Sequence, residues 1–195
     1  MIELQAKWDA IYSGHQPEFN VADVLSNNRH LLPNHGAALD LACGSGGNAL
    51  FLAEHGLHVD ALDISPVALA CLQDQAGQRQ LSVTTRQGFI TPDSLDQDHY
   101  DVIVISRFLD RSLCNAIMSA LKSEGLLFYQ TFTRDKLDQH GPSNPDYLLE
   151  RNELLDLFSP LTLVYYQENA GIGDLRHGNR NEACFIGHNI DPVSK

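Results

Sequence analysis

The sequence lacks the features that mark membrane, metal-binding and nucleic-acid-binding proteins. No apolar run approaches the ~18 residues that a membrane-spanning helix requires. The four cysteines form no C-x-x-C pair and the nine histidines form no H-x-x-x-H or H-x-H group, so no metal site is predicted. Lys and Arg number 13 against 25 Asp and Glu and form no cluster, which disfavours nucleic acid because its affinity depends on neutralised phosphates.

The first ten residues also lack the character of a signal peptide. MIELQAKWDA carries two acids and no apolar core. Cys43, Cys71, Cys114 and Cys184 lie far apart along the chain. The sequence therefore predicts a cytoplasmic protein with reduced thiols, no membrane association, and a small molecule as its substrate.

Short apolar runs alternate with helical patterns, which predicts an α/β fold with a parallel sheet and helices on both faces. The run YDVIVIS is almost continuous in β-branched residues, as is typical of a strand buried on both faces. The last two strands have no room for a helix between them, so a Rossmann-like seven-stranded, mostly parallel sheet with a terminal antiparallel hairpin is expected. The predicted strands are 37–42, 57–63, 82–88, 100–106, 126–132, 161–167 and 182–188, and the predicted helices are 48–56, 65–78, 111–125 and 151–160.

A chain of 195 residues is expected to form one domain, 1–195, and two segments stand outside the alternation. Residues 1–36 precede the first strand and are predicted to form an N-terminal helical cap or lid. Within them Trp8 and Tyr12 share a helix face, which either docks on the core or covers a cofactor. Residues 134–150 contain the Pro, Gly and Asn typical of an ordered loop over a substrate.

A glycine-rich turn, CGSGGN, follows the first predicted strand and precedes a helix. Ligands of open α/β sheets bind beyond the carboxyl ends of the strands, so this turn is the predicted ligand site. Gly44 and Gly46 let the backbone approach a ligand, and residues 44–49 fit the G-x-G-x-x-A fingerprint of dinucleotide sites. Two features argue against NAD: Asp40 lies inside the strand, where such folds usually carry an apolar residue, and a hairpin replaces a second nucleotide-binding half.

The stretch LDLACGSGGNALFLAEHGLHVDALDIS, residues 39–65, resembles the class I S-adenosylmethionine-dependent methyltransferases. Within that family it is similar to the small bacterial enzymes grouped with tellurite-resistance and thiopurine methyltransferases. KWDAIY, residues 7–12, resembles the N-terminal Trp…Tyr helix of the family, and EGLLFYQTF, residues 124–132, resembles its fifth-strand motif. The resemblance implies S-adenosylmethionine as the cofactor and methyl transfer as the reaction.

The resemblance also assigns a cofactor site. Asp63, at the end of the second strand, would accept charge-assisted hydrogen bonds from both ribose hydroxyls. Asp40, or the Ala42 and Gly44 backbone, would meet the ammonium of the methionine part, although Asp40 could instead bond the N–H groups of its own turn. Ile64 is expected on the adenine, Gly88 and Phe89 at its edge, and Ser106 under the methionine. Many family members carry Asp where Phe89 stands. The full predicted set is Asp40, Ala42, Gly44, Gly46, Asp63, Ile64, Gly88, Phe89 and Ser106.

The acceptor is less defined by the sequence than the cofactor. The residues SRFL after the fourth strand differ from the Asn/Asp-Pro-Pro-Tyr signature of amino-group methylation on nucleobases, so a small-molecule or metalloid acceptor is predicted. Alignment of nucleophile and methyl group does much of the work in such a transfer. His140, Tyr147 and His177 are candidates for orienting the acceptor or acting as a base, and Arg107 for pairing with an anionic substrate or with the methionine carboxylate. Each of the four has a plain surface role as the alternative.

Two further functions are compatible with the same residues. One is an NAD-type oxidoreductase that uses the glycine-rich turn. The other is a catalytically inactive binding module that has kept the methyltransferase fold. The sequence makes no prediction of the oligomeric state.

Overall fold

The computed structural model describes residues 2–14 and 16–190; residues 1, 15 and 191–195 of the expected domain lie outside the described residues. Seven strands form a single sheet. They are β1 (Ala37–Leu41), β2 (His58–Asp63), β3 (Val83–Gln87), β4 (Tyr100–Ser106), β5 (Leu121–Phe132), β6 (Thr162–Gln167) and β7 (Glu182–His188).

Six α-helices accompany the sheet in the described residues. They are α1 (Ile2–Ser13), α2 (Asp23–Ser26), α3 (Gly47–Glu54), α4 (Pro66–Arg79), α5 (Cys114–Ala120) and α6 (Glu153–Leu157). The start of α4 follows from its sequence, because the Ser65 side chain accepts a hydrogen bond from the Ala68 amide at 3.3 Å and Pro66 occupies the first helical position.

The strand order is β3-β2-β1-β4-β5-β7-β6. The pairs among β1 to β5 are parallel, whereas β7 runs antiparallel to both β5 and β6. This confirms the predicted mostly parallel, Rossmann-like sheet with an antiparallel hairpin. The hairpin has a further feature: its second strand, β7, lies inside the sheet, and its first strand, β6, forms the edge.

The core lies on both faces of the sheet. On one face, Ile117 of α5 and Leu154 of α6 belong to a buried cluster with alternate residues of the strands, such as Leu39. On the other face, Leu50 of α3 and Leu72 of α4 belong to a second buried cluster, with Ala38 and Val104 among the strand residues. Because side chains alternate along β1, Asp40 lies on the same face as Ala38, towards α3.

Two predicted helices are shorter in the structure than in the sequence analysis. The helix predicted over 111–125 is wrong beyond Ala120: Arg111–Leu113 form a 3-10 turn, α5 ends at Ala120, and Leu121 pairs with Tyr100 at the start of β5. Gly125 does not end a helix but lies in an irregular part of β5, where the register with β4 shifts, after Glu124 with a φ of 65°. The helix predicted over 151–160 is reduced to Glu153–Leu157.

Two observations bear on the classes of protein considered above. Within residues 2–14 and 16–190, no helix combines the length and apolar character that a membrane crossing requires. The same residues contain no group of three or more His, Cys, Asp or Glu side chains placed to hold a metal ion.

Candidate functional site

The glycine-rich turn connects β1 to α3 at the carboxyl edge of the sheet. Its backbone needs positive φ angles at three alternate positions: 58° at Ala42, 53° at Gly44 and 81° at Gly46. The Cys43 amide donates to the Leu62 carbonyl at 3.0 Å, and the Gly46 amide donates back to the Cys43 carbonyl at 2.9 Å. The turn is therefore tied to the end of β2, where Asp63 lies.

The glycines of the turn are required for different structural reasons. A Cβ at Gly46 would lie 2.4 Å from the Leu72 side chain of α4, and one at Gly47 would lie 2.3 Å from the Asn20 carbonyl oxygen. These two positions are thus required by packing of protein against protein. A Cβ at Gly44 would instead meet the Tyr12 hydroxyl oxygen at 2.5 Å, on the side of the turn that α1 covers.

Asp63 lies at the end of β2 and is 6 % exposed. One carboxylate oxygen accepts from the Gly44 amide and the other from the Ser65 amide, both at 2.8 Å. Burial raises the pKa of Asp63 above its ordinary value, although these hydrogen bonds act in the opposite direction. The carboxylate thereby joins the glycine-rich turn to the segment that follows β2. Each oxygen keeps further acceptor capacity, so the carboxylate can still accept hydrogen bonds from hydroxyl groups.

Asp40 is fully buried in β1. Its Oδ2 accepts from the Ala49 amide of α3 at 2.9 Å, whereas its Oδ1 has no hydrogen-bond partner among the described residues. Desolvation raises the pKa of Asp40 to about 7. Asp40 therefore bonds an amide of the following helix rather than an N–H group of the turn before it, and one of its acceptor atoms has no partner among the described residues.

Helix α1 covers the turn with polar side chains. Gln5, Asp9 and Tyr12 are its partly buried residues and follow an i, i+4, i+7 spacing, so they share the face that contacts the body. Asp9 accepts from the Ser65 hydroxyl, and burial together with the negative charge of Asp63 raises the pKa of Tyr12. Trp8 lies next to Tyr12 with ring centroids 6.1 Å apart and is 36 % exposed. The cap does cover the predicted site, and its role as a lid stays a prediction.

The residues predicted to contact adenine lie at the ends of β2 and β3. The Gly88 amide donates to the Asp63 carbonyl at 3.0 Å, and a Cβ at Gly88 would meet open space. Ile64 is half-buried, and the Phe89 side chain is 39 % exposed. The structure thus groups these three residues beside Asp63, with an apolar surface available next to it.

Ser106 ends β4 and connects the predicted cofactor site to the neighbouring strand. Its hydroxyl accepts from the Asn48 side chain at 3.0 Å, and the other end of that amide accepts from the Ala22 backbone at 2.9 Å. Asn48 is 4 % exposed and thereby joins α3, the segment before α2, and β4. Sequence reasoning missed Asn48, although a polar residue in the otherwise apolar first turn of α3 was a signal for it.

Arg107 follows Ser106 with a φ of 54°, and its amide donates to the Gln130 carbonyl at 2.8 Å. This reversal directs its side chain across the end of β5 to β7, where Nε donates to Glu182 Oε1 at 2.9 Å. Glu182 is 5 % exposed and also accepts from Gln130 and Asn179. Burial alone would raise the pKa of Glu182, but these hydrogen bonds and Arg107 hold it below its ordinary value.

Gln130 extends this network to α2. Its side-chain oxygen accepts from the Val24 amide at 2.9 Å, while its amide group donates to Glu182 at 2.5 Å. Gln130 is 3 % exposed within the apolar strand LLFYQTF. Neither Gln130 nor Glu182 is among the predicted site residues; the signal for them is a polar residue at a terminus of a buried strand, near the end of β5 for Gln130 and at the start of β7 for Glu182.

A cavity of about 370 Å³ opens beside this network and includes Arg107, His140 and Glu182 in its lining. Two of these side chains approach the buried Phe132 ring, with the Arg107 guanidinium carbon 6.0 Å and the His140 ring 5.7 Å from its centroid. Two of the four candidates for handling an acceptor are therefore brought together. A larger cavity of about 480 Å³ lies between Asn152 and Glu168 and involves none of the predicted site residues.

The other two candidates lie elsewhere. Tyr147 is 51 % exposed in the 3-10 turn Pro145–Tyr147 and does not line this cavity. His177 is exposed in the loop between β6 and β7, where its ring contacts Asp174 at 3.1 Å. The structure gives these two side chains no contact with Arg107 or His140.

The loop predicted over 134–150 contacts the loop between β6 and β7. The Leu137 amide donates to Asn181 at 2.9 Å, and the Asn181 amide group donates to Asp138 at 2.8 Å. Gly141 lies against the Phe132 ring, where a Cβ would be 2.6 Å from it. The loop therefore forms part of the wall next to the cavity, and its contact with a substrate stays a prediction.

Comparison with known proteins finds similarity in the central part of the chain. Residues 38–125 match the family model described as a methyltransferase domain. Over 143 residues the chain is 31% identical to hemagglutinin 1 of Eikenella corrodens, covering 69% of this chain and 46% of that protein. Over 141 residues it is 27% identical to the probable S-adenosyl-L-methionine-dependent methyltransferase TehB of Haemophilus influenzae, covering 68% and 48%. The chain thus spans about half the length of the curated relatives that it matches.

Solved structures agree on the fold. The crystal structure of TehB from Haemophilus influenzae superposes with a TM-score of 0.70 at 20% identity, covering 93% of this chain and 66% of that one. A structure concerned with the conversion of a disulfide bond into a thioacetal group during echinomycin biosynthesis gives a TM-score of 0.68 at 20% identity, covering 95% and 93%. At this level of identity the two likenesses show the fold alone.

Proposed function

We propose that the chain is a class I S-adenosylmethionine-dependent methyltransferase that methylates a small-molecule or metalloid acceptor; the match of residues 38–125 to a methyltransferase domain and the likeness to TehB support this. S-adenosylmethionine is the cofactor of this family. The observation that carries the proposal is the meeting of the glycine-rich turn, Asp63 and the Arg107 cavity at one edge of the sheet. Such an edge is where open α/β sheets bind their ligands.

The residues present fit the cofactor. Asp40 Oδ1 is a buried acceptor with no hydrogen-bond partner in the described part of the chain, which suits an ammonium donor at the turn. Asp63 is a largely buried carboxylate with acceptor capacity left for two ribose hydroxyls. The open space over Gly88 and the half-exposed Phe89 suit a flat, apolar ring.

When bound, S-adenosylmethionine supplies an activated methyl group on a sulfonium. The chain contributes position: Asp63 and the turn fix one end of the site, and Ser106 with Asn48 holds the end of β4 beside them. Arg107 and His140 line the neighbouring space in which an acceptor would align. Alignment of two reactants in a shielded site accounts for a large share of such a rate enhancement. The cytoplasmic location and the single-domain organisation stay predictions.

Calorimetric titration of the purified protein with S-adenosylmethionine, S-adenosylhomocysteine and NAD tests the cofactor. Micromolar binding of the first two and no heat with NAD are expected. Binding of NAD alone would refute the proposal and favour an oxidoreductase. Incubation of the protein with S-adenosylmethionine and with thiols, tellurite or small phenols then tests transfer; cofactor binding without methylation of any acceptor class would favour the inactive binding module.

A further inference from the structure

We propose that the acceptor carries a carboxylate group, which the free edge of the Arg107 guanidinium binds in a bidentate manner. This inference rests on the proposed function, because it places the carboxylate in the cavity next to the predicted cofactor site. It extends that function by naming a chemical class for the acceptor and a residue that selects it.

The Arg107 side chain is held by one of its edges. Its Nε donates to Glu182 at 2.9 Å, and its guanidinium carbon lies 6.0 Å from the centre of the Phe132 ring. The two terminal nitrogens, Nη1 and Nη2, have no hydrogen-bond partner in the part of the chain that the structure describes. The side chain remains 56% exposed, so this second edge is accessible from the cavity.

Glu182 cannot satisfy that second edge. Its Oε1 accepts from Arg107, and its Oε2 accepts from Gln130 at 2.5 Å and from Asn179 at 2.9 Å. The carboxylate is therefore a buried anchor that orients the guanidinium and leaves its fork unused. A guanidinium fork with two parallel N–H groups matches the two oxygens of a carboxylate.

The other charged side chains of the cavity lining are engaged or opposite in sign. Arg180 donates through all three of its side-chain nitrogens to backbone carbonyls of residues 170–177, so it organises the loop. Asp23 contributes a carboxylate to the same lining. The cavity is thus not a general attractor of anions, and selection must come from the fork geometry of Arg107.

The size of the cavity adds a constraint on the rest of the acceptor. Phe132 is 6 % exposed and is not one of the lining residues; the Arg107 guanidinium carbon and the His140 ring lie 6.0 Å and 5.7 Å from its centroid. A cavity of about 370 Å³ suits a compound of about the size of a substituted benzoate. Benzoate and benzamide are therefore a matched pair of probes, since they share shape and differ in charge.

The test uses the complex of the full chain with S-adenosylhomocysteine. Benzoate and benzamide are titrated separately, with calorimetry for affinity and the side-chain NMR signals of Arg107 and His140 for location. We expect benzoate to bind about tenfold more tightly or better, as a charge-assisted hydrogen bond predicts. Arg107→Gln should remove this preference, and Arg107→Lys should not restore it fully, because an ammonium lacks the fork.

Arg176→Gln is the matched control. Arg176 lies in the loop between β6 and β7, pairs with Asp174, and does not line the cavity. This variant should keep the preference for benzoate. Equal binding of both probes to the original protein, no perturbation of the Arg107 signal, or an unchanged preference in Arg107→Gln would each overturn the proposal.

Two readouts separate this proposal from the proposed function. Failure of the original protein to bind S-adenosylhomocysteine would contradict the function, and the benzoate titration on the free protein would still decide the carboxylate site. If Arg107→Gln weakens binding of S-adenosylhomocysteine but not of 5′-methylthioadenosine, which lacks the amino acid, then Arg107 recognises the carboxylate of the cofactor. That result would overturn the acceptor assignment and leave the function intact.

Discussion

The buried carboxylate of Asp40 predicts that the cofactor-free protein loses stability as the pH rises to neutrality. Asp40→Asn tests this directly. The asparagine keeps an oxygen that can accept from the Ala49 amide, and it removes the charge without changing the size of the side chain. The variant should therefore retain the turn while losing the pH-dependent part of its stability.

The expected size follows from the pKa of Asp40, which burial raises from 3.8 to about 7. Between these values the folded state holds a proton that the unfolded chain has released, so stability is highest at low pH and falls as the pH rises through 7. The full effect is about 4 kcal/mol, since one pKa unit corresponds to ~1.36 kcal/mol, and roughly 2.5 kcal/mol of it falls between pH 5 and pH 8.

Urea denaturation at pH 5 and pH 8 measures this difference in the original protein and in Asp40→Asn. The original protein should lose roughly 2.5 kcal/mol more than the variant over that interval. Asp93→Asn changes an exposed acid and controls for the change in net charge. It should leave the loss of stability between pH 5 and pH 8 unchanged. An equal loss of stability in the original protein and in Asp40→Asn would refute the reasoning.

Three further predictions follow from individual contacts. Gly46→Ala should lower the free energy of unfolding by about 1–3 kcal/mol in urea denaturation, because the position has a φ of 81° and a Cβ would meet Leu72 at 2.4 Å. Gly77→Ala is the control. A Cβ at Gly77 has open space, so this variant should not be destabilised. Asp63→Ala should weaken S-adenosylhomocysteine binding by about tenfold or more in calorimetry, and unchanged affinity would contradict the site assignment. Glu182→Gln should remove a stabilising contribution of the Glu182 carboxylate. This contribution is present above the ordinary pKa of glutamate and is lost as the pH falls through the lowered pKa of Glu182, so the acid denaturation curves of the two proteins should converge at low pH. Parallel curves would contradict this.

The sequence was sufficient for most of the fold because the strands carry strong local patterns. Strands β4 and β7 have the predicted bounds, since YDVIVIS and EACFIGH are mostly apolar runs with clear breaks on both sides. The end of α5 was not predictable in the same way. Leu121 continues the helical spacing, but pairing with Tyr100 and hydrogen bonds from the Asn189 side chain to this segment place it in β5. Tertiary contacts overrode a local pattern there.

The same distinction between local patterns and tertiary contacts applies to the candidate site. The positions of Asp40, Asp63 and Ser106 follow from short motifs at strand ends, and the structure does place them at one edge. Their roles towards a cofactor stay predictions. The network of Gln130 and Glu182 could not be read locally, because its members are separated by 52 residues and join through the insertion of β7 next to β5.

The position of β7 inside the sheet has a consequence for synthesis of the chain. Strand β6 pairs with β7, and the far edge of β5 is likewise covered by β7, so neither edge is satisfied until residues 182–188 have left the ribosome. A nascent chain that has reached residue 181 would expose the unpaired edge of β5, which is a template for association with other strands. Because Glu182 arrives with that same strand, Arg107 acquires its anchor only when the sheet closes. Completion of the sheet and orientation of Arg107 are thus one event.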